Sequence, residues 1–469
     1  MTKKIQVILL YLIIFLLPFN FRHIFNFSTI KNIQGFKEQL EVSFFTFDIF
    51  IISLLFLSLW IYRKKIFNKD KLKKIFRQPL FYFTTFIIIF FFVTKKTPTN
   101  WYNLFRLLEN IFLFVVARNI LKQYTVLTYF KFIIFASGVI QSIIAIAQFT
   151  VQKSIGLTWL GESVVGKNIH NVAKFSFEGE KYIRAYGTFP HPNVLGIFLL
   201  FTLSAGLSLF LAKKNILKNV RWPYRFIFYI EIFVVLLGLI LTYSRTTLVL
   251  TTIILGVFIF RQRRLINRSY KKYCERFRVP FFLQTTLAIL FIFGTIFASY
   301  NILAPRLCLQ CAGGHSWELR KIYQKNAEII IFRHPLIGVG LGNFISTSKN
   351  ITDYSKFPWR LQPVHNLYLL IASEIGLLGL FLFLLTIFFY FFKRISFYSI
   401  LNSPLDLFFM AVLLISFFDH YFWTLPQGQL IFWLTFALAS IPKTKKVDSP
   451  KYHFDIILKN IRQLIKELS

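Results

Sequence analysis

Three short stretches carry polar groups in a chain that is otherwise one apolar run after another. They are "RAYGTFPHPN" with Arg184, His191 and Asn193, "LTYSRTTLVL" with Arg245, and "VHNLYLLIASEIGLLGLFLFL" with His365 and Asn366. An arginine fork can hold two phosphate oxygens at once. A helix that starts beside it points amide hydrogens at the same anion. In the first stretch Gly187 permits a tight bend, and Pro190 and Pro192 set up a helix start near Asn193, a residue type that caps helices. Arg245 interrupts a long apolar run between 226 and 260, which is costly unless the charge faces a polar cavity or an interface; snorkelling to headgroups is the alternative. His365 follows Pro363 at the start of a long apolar stretch. An imidazole there can accept a proton near neutral pH or donate a hydrogen bond to a phosphate. In "RHPLIGVGLGNF" the glycines 338, 340 and 342 suit close backbone approach, without the preceding strand that a nucleotide-binding fingerprint needs.

The elements that must position these groups are membrane spans. With 56% hydrophobic residues, including 61 phenylalanines, the 469-residue chain exceeds what a water-soluble core requires. About twelve apolar stretches, of about 20 residues each, can be read along it. They lie near 5–20, 44–62, 79–93, 101–117, 125–149, 191–212, 226–243, 246–260, 281–300, 365–392, 404–419 and 429–441. The expected fold is all-α, a polytopic membrane domain over 1–443 with external loops 150–190 and 301–364, the larger between spans nine and ten. A short cytoplasmic tail, 444–469, follows, either an amphipathic helix lying on the leaflet or a disordered segment.

Orientation comes from the basic residues. Three short loops, 63–77, 213–225 and 261–278, are rich in lysine and arginine and alternate correctly with the spans, so they are expected in the cytoplasm together with both termini. Arg184, Arg245 and His365 then face outward. The net charge of +36 is spread over these loops, where anionic membrane lipids attract it; no stripe or fold signature of a nucleic-acid binder accompanies it. Cys308 and Cys311 fall on the outer side, where a disulfide can persist; free thiols are the alternative, and zinc held with His315 lacks a fourth ligand.

The ordered set "RAYGTFPHPN", "YSRTTL", "HPLIGVGLGNF" and "HNLYLLIASEIGLLGL", within residues 184–380, resembles the bacterial O-antigen ligase and polymerase superfamily. The resemblance implies a glycosyltransferase of the inner (cytoplasmic) membrane. It would move a glycan from a polyprenyl-diphosphate carrier to an acceptor hydroxyl on the outer face, with inversion at the anomeric carbon. Arg184, Arg245 and His365 would be the functional set, the arginines on the diphosphate and the histidine at the transfer centre, with His191, Asn193, Asn366 and Trp359 as further substrate contacts. A leaving diphosphate develops negative charge that fixed cations stabilise. The outer loops are poor in the carboxylates that would hold a metal, so no metal and no cofactor are expected. The acceptor stays open between a lipid core sugar (a ligase), another lipid-linked repeat (a polymerase) and a protein hydroxyl (an oligosaccharyltransferase). A transporter is the reading from another class, and the paired broken helices or acids it would ordinarily show are not evident in the sequence.

Overall fold

The computed structural model describes residues 2–25, 42–66, 69–94, 97–170, 172–177, 179–212, 222–269, 314–354, 360–394 and 400–442. The expected span 281–300, Cys308, Cys311, Trp359 and the tail 444–469 lie outside them. In chain order the elements are α1 (Thr2–Leu16), β1 (Arg22–Phe25), β2 (Val42–Phe45), α2 (Thr46–Ile66), α3 (Lys69–Phe76), α4 (Pro79–Val93), α5 (Pro98–Ile120), α6 (Tyr124–Val151), β3 (Lys174–Phe177) and β4 (Glu180–Ile183). There follow α7 (Pro192–Ala212), α8 (Trp222–Leu241), α9 (Arg245–Ser269), α10 (Gly314–Arg333), α11 (Phe344–Ser348), α12 (Leu367–Tyr390), α13 (Pro404–Ile415), α14 (Tyr421–Thr424) and α15 (Pro426–Ala439).

Each expected span among the described residues falls on a helix. Among the described residues four helices are long and apolar enough to cross a membrane, within α2, α6, α7 and α12. Others, such as α4 and α13, are shorter apolar helices. The all-α expectation needs one correction, because the described residues include two antiparallel hairpins. β1 pairs with β2 (Arg22↔Phe45) and β3 with β4 (Lys174↔Ile183). Short connections between span ends leave backbone groups that helices cannot satisfy, and pairing two such stretches satisfies them. The stretch expected as external loop 301–364 likewise carries the 20-residue helix α10 and the short α11.

Start signals in the sequence define several helix ends. Thr97 and Asn100 form a reciprocal capping box ahead of Pro98, and Ser403 caps α13 ahead of Pro404, as proline at the first helical position favours. The centre is α7. Leu195, Ile197, Phe198, Leu199, Leu200, Phe201 and Leu203 are fully buried, and α6, α8 and α13 pack around it, as a helix apolar on all sides requires. A buried ion cluster ties α2 to α5: Arg106 Nη2 donates to Asp48 Oδ2 at 2.8 Å, and its Nη1 reaches Asp48 Oδ1 and Glu109 Oε2.

The segments expected on the outer side gather at one end of this bundle. Thr188 Oγ1 donates to the Pro18 carbonyl (2.5 Å), Arg184 Nε to Thr242 O (2.7 Å), and Leu367 N to Ser416 O (2.7 Å).

Candidate functional site

The segment 184–193 is held by α6 and by the turn between α8 and α9. Ala185 N donates to Leu241 O at 3.0 Å. Gln148 Oε1 accepts from the amides of Tyr186 and Gly187 (3.1 and 2.8 Å), while its Nε2 donates to Gly187 O (2.9 Å). Gln141 Oε1 accepts from Thr188 N at 3.0 Å. Two glutamines fully buried in a spanning helix thus satisfy the backbone of the bend. Gly187 itself has φ +59°, and a Cβ on it would stand 2.6 Å from Gln141 Oε1.

Arg184 emerges from this bend fixed on two sides: Nε donates to Thr242 O, and Nη2 to Asn193 Oδ1, both at 2.7 Å. Asn193 passes the connection on, its Nδ2 donating to Asp419 Oδ2 at 3.0 Å. Asp419 Oδ1 accepts from His420 N (3.0 Å) and stands 3.5 Å from His365 Nδ1. The rings of His365 and His420 lie 5.0 Å apart, and Tyr323 of α10 stands 6.2 Å from His365 between ring centres. A continuous polar chain, Arg184 to Asn193 to Asp419 to His365, therefore joins the first and third sequence motifs. It runs through a carboxylate that belongs to neither.

That carboxylate, Asp419, is not among the residues that the sequence motifs single out. The signal was an adjacent Asp-His pair at the end of an apolar run, on the same side as His365. Asn193 also differs from expectation, because α7 begins at Pro192 and the cap is supplied by His191, whose Nδ1 accepts from Asn193 N at 3.1 Å. Asn193 is a bridge instead. His191 must then carry its proton on Nε2 when neutral. Asn366 is the cap of α12, its Oδ1 accepting from the amides of Tyr368 and Leu369 at 3.0 and 3.1 Å. Arg245 is the first residue of α9 and exposed, three residues beyond the Thr242 carbonyl that holds Arg184. The two arginines thus belong to the same end of the bundle.

The glycine motif packs against α12. Val339 N and Gly340 N donate to Ser373 O (3.0 Å) and Glu374 O (2.8 Å), and Leu377 N donates to Pro335 O (2.7 Å), because α12 is broken at Gly376 (φ 74°, ψ 174°). The broken helix recovers its hydrogen bonds from the 335–340 segment. Glu374 accepts from Trp423 Nε1 at 2.9 Å, a tie between α12 and the chain just past His420.

His191 and Asp419 lie just outside the helices α7 and α13, and the electrostatics there sort the groups into charged and neutral. Burial, reinforced by the Arg184 charge, lowers His191 to about 3. Burial and the neighbouring His365 lower His420 to about 3. Burial raises the Asp419 carboxyl, but the imidazoles around it, His365 foremost, outweigh this and hold it below the usual carboxylate range. At neutral pH the site therefore presents an anionic Asp419 between neutral His191 and His420.

Both histidines bind protons less readily folded than at their ordinary 6.5. Between that pH and about 3 the unfolded chain holds more protons, so stability is lost as pH falls through this window. Asp419, depressed below 3.8, adds a loss of the same sign at the acid end. Between pH 7 and pH 4 the melting midpoint of the wild type in detergent should therefore move in the destabilising direction relative to that of H420Q. An identical pH dependence of the two midpoints would contradict this charge assignment.

No curated protein matches the chain. Residues 230–384, the segment containing Arg245, the glycine motif and His365, match the family model described as O-antigen ligase. This match and the apolar helices support a membrane protein similar to the O-antigen ligase and polymerase superfamily.

Proposed function

We propose that this protein is a glycosyltransferase that threads the membrane about twelve times and, on its outward face, moves a glycan from a polyprenyl-diphosphate carrier to an acceptor hydroxyl. The observation that carries the reading is the chain Arg184–Asn193–Asp419–His365 at one end of the bundle, with Arg245 three residues past the Thr242 carbonyl that holds Arg184. An acceptor hydroxyl gives its proton to His365 as its oxygen bonds to the anomeric carbon. The carbon–oxygen bond to the diphosphate breaks, and the electron pair leaves on that diphosphate. Attack opposite the leaving group inverts the anomeric centre. Asp419, 3.5 Å from Nδ1, balances the charge that develops on the imidazole, as a carboxylate behind a histidine base does. Arg184, preorganised by two hydrogen bonds, and Arg245 offset the charge that grows on the diphosphate, the place a metal ion takes in other transferases. The carrier tail lies against the apolar helices. His191, Asn366 and Trp359 complete the proposed substrate contacts.

The ligase label follows the family description; polymerase and protein O-oligosaccharyltransferase share the same donor chemistry and differ in the acceptor. The broken helix α12 favours a second reading, because transporters build ion and substrate sites on such breaks. Here the freed backbone groups are taken up by residues 335–340, which supports transfer over transport. Arg245→Ala is expected to lower transfer of a lipid-linked glycan by about 10²–10³-fold while the protein stays in the membrane, as loss of one charge-stabilising donor does. Wild-type transfer by this variant would reject the diphosphate site. Flux of the glycan lipid in proteoliposomes without transfer would select the carrier reading.

A further inference from the structure

The end of the bundle that holds His365 also brings together two imidazoles and a carboxylate. One donor atom each from His365, Asp419 and His420 lies within 4.8 Å of the others. Two donors bound to one tetrahedral zinc at about 2.0–2.2 Å stand roughly 3.3–3.6 Å apart. His365 Nδ1 and Asp419 Oδ1 are 3.5 Å apart. That separation is long for a hydrogen bond, and the buried Nδ1 has no hydrogen-bond partner. The supports behind the donors are those of a metal site. Asp419 Oδ2 is held by Asn193 Nδ2 at 3.0 Å. Thr424 Oγ1 donates to the His420 carbonyl (3.2 Å), so it accepts from His420 Nδ1–H at 2.8 Å and leaves that ring's unshared pair on Nε2. Partners that fix the tautomer of an imidazole and the orientation of a carboxylate are the usual backing of metal ligands.

We propose that His365, Asp419 and His420 form a three-ligand site for a zinc-class divalent cation with its fourth position open, and that filling it switches transfer off. Two imidazoles and one carboxylate suit zinc, whereas magnesium favours six oxygens in an octahedron. The bound cation takes His365 Nδ1 and the Asp419 carboxylate, and so withdraws both members of the proton-accepting pair. This inhibitory half rests on the transfer function proposed above; the metal site does not.

The test uses the full-length protein in detergent, with zinc chloride titrated in competition with a chromophoric zinc indicator. One tightly held zinc per chain is expected, with magnesium chloride at the same concentration failing to compete. Asp419→Asn should weaken binding at least as much as Thr424→Val, and Thr424→Val by about 10–100-fold, as loss of an outer-shell partner does. Thr424→Val leaves all three ligands in place, so it keeps the test meaningful if Asp419→Asn fails to fold. His170→Ala, an exposed histidine elsewhere, should bind as the wild type does. Cobalt(II) in the same site should give the intense visible bands of a tetrahedral centre. Absence of zinc binding, or equal binding by wild type, Asp419→Asn and Thr424→Val, would overturn the site. Zinc should also inhibit glycan transfer, with recovery on adding chelator. Zinc binding in the expected mutational pattern without inhibition would sink the switch alone, and a metal-free protein that transfers nothing would sink the transfer function while the titration still judges the site.

Discussion

Replacing His365 with alanine is expected to lower glycan transfer by about 10²–10⁴-fold, the usual contribution of a positioned general base. Asp419→Asn should produce a loss of the same order although it removes no group that touches the acceptor. Asp419 accepts from Asn193 through one oxygen and from His420 N through the other, which also faces His365. An asparagine offers one acceptor oxygen and one NH₂, so one of these donors would meet a donor. It also removes the negative charge that favours the protonated imidazole. Residues that act as a unit are strongly non-additive. The double variant should therefore be no slower than the worse single one. The assay is transfer of a labelled lipid-linked glycan by membranes containing equal amounts of each protein, followed as a function of pH. Losses that multiply, or an Asp419→Asn variant with wild-type rate and pH profile, would separate Asp419 from the histidine.

Gly376→Ala should damage the whole protein although Gly376 is remote from the proposed proton transfer. Its φ of 74° and ψ of 174° fall in a region that is essentially glycine-only and costs other residues about 1–3 kcal/mol. A Cβ there would also stand 2.1 Å from the Leu336 carbonyl oxygen. That contact is with backbone, so no rotamer change relieves it, and the 335–340 segment would have to move away from α12. Doing so breaks the bonds from Leu377 N to Pro335 O and from Gly340 N to Glu374 O. Strain and displacement together place the expected destabilisation at roughly 2–6 kcal/mol. Thermal unfolding in detergent checks this, with Gly256→Ala as the comparison. Gly256 lies inside α9 with nothing near its Cβ position, and alanine in a helix interior is favourable by about 1 kcal/mol. Equal melting midpoints for Gly376→Ala and wild type would show that the break in α12 does not depend on glycine.

Much of the architecture was readable in advance because it follows from local pattern. Long apolar runs must be helices in a membrane, since no other open segment satisfies its own backbone there. The alternation of basic and polar loops gives the expected orientation of the spans. Arg245 could be singled out because a charge inside an apolar run is costly, and Arg184 and His365 because each stands beside a proline-marked helix start. The alternating glycines announced a close approach of backbones, and the contact with α12 is that approach. The two hairpins, β1–β2 and β3–β4, were less visible, because strands of four residues carry too little periodicity to register.

The sequence by itself determined a membrane-embedded helical protein with two arginines and one histidine at the same end. Only the tertiary structure decided how they are joined. Asp419 lies 226 positions beyond Asn193 and 54 beyond His365, and no local rule couples residues at such separations. They meet because α7 packs against α13 and the Leu367 amide bonds to Ser416 O, which brings the starts of α7 and α12 to the end of α13. Side-chain partners across a bundle are chosen by packing and by the need to satisfy every buried polar atom, and both are properties of the assembled fold.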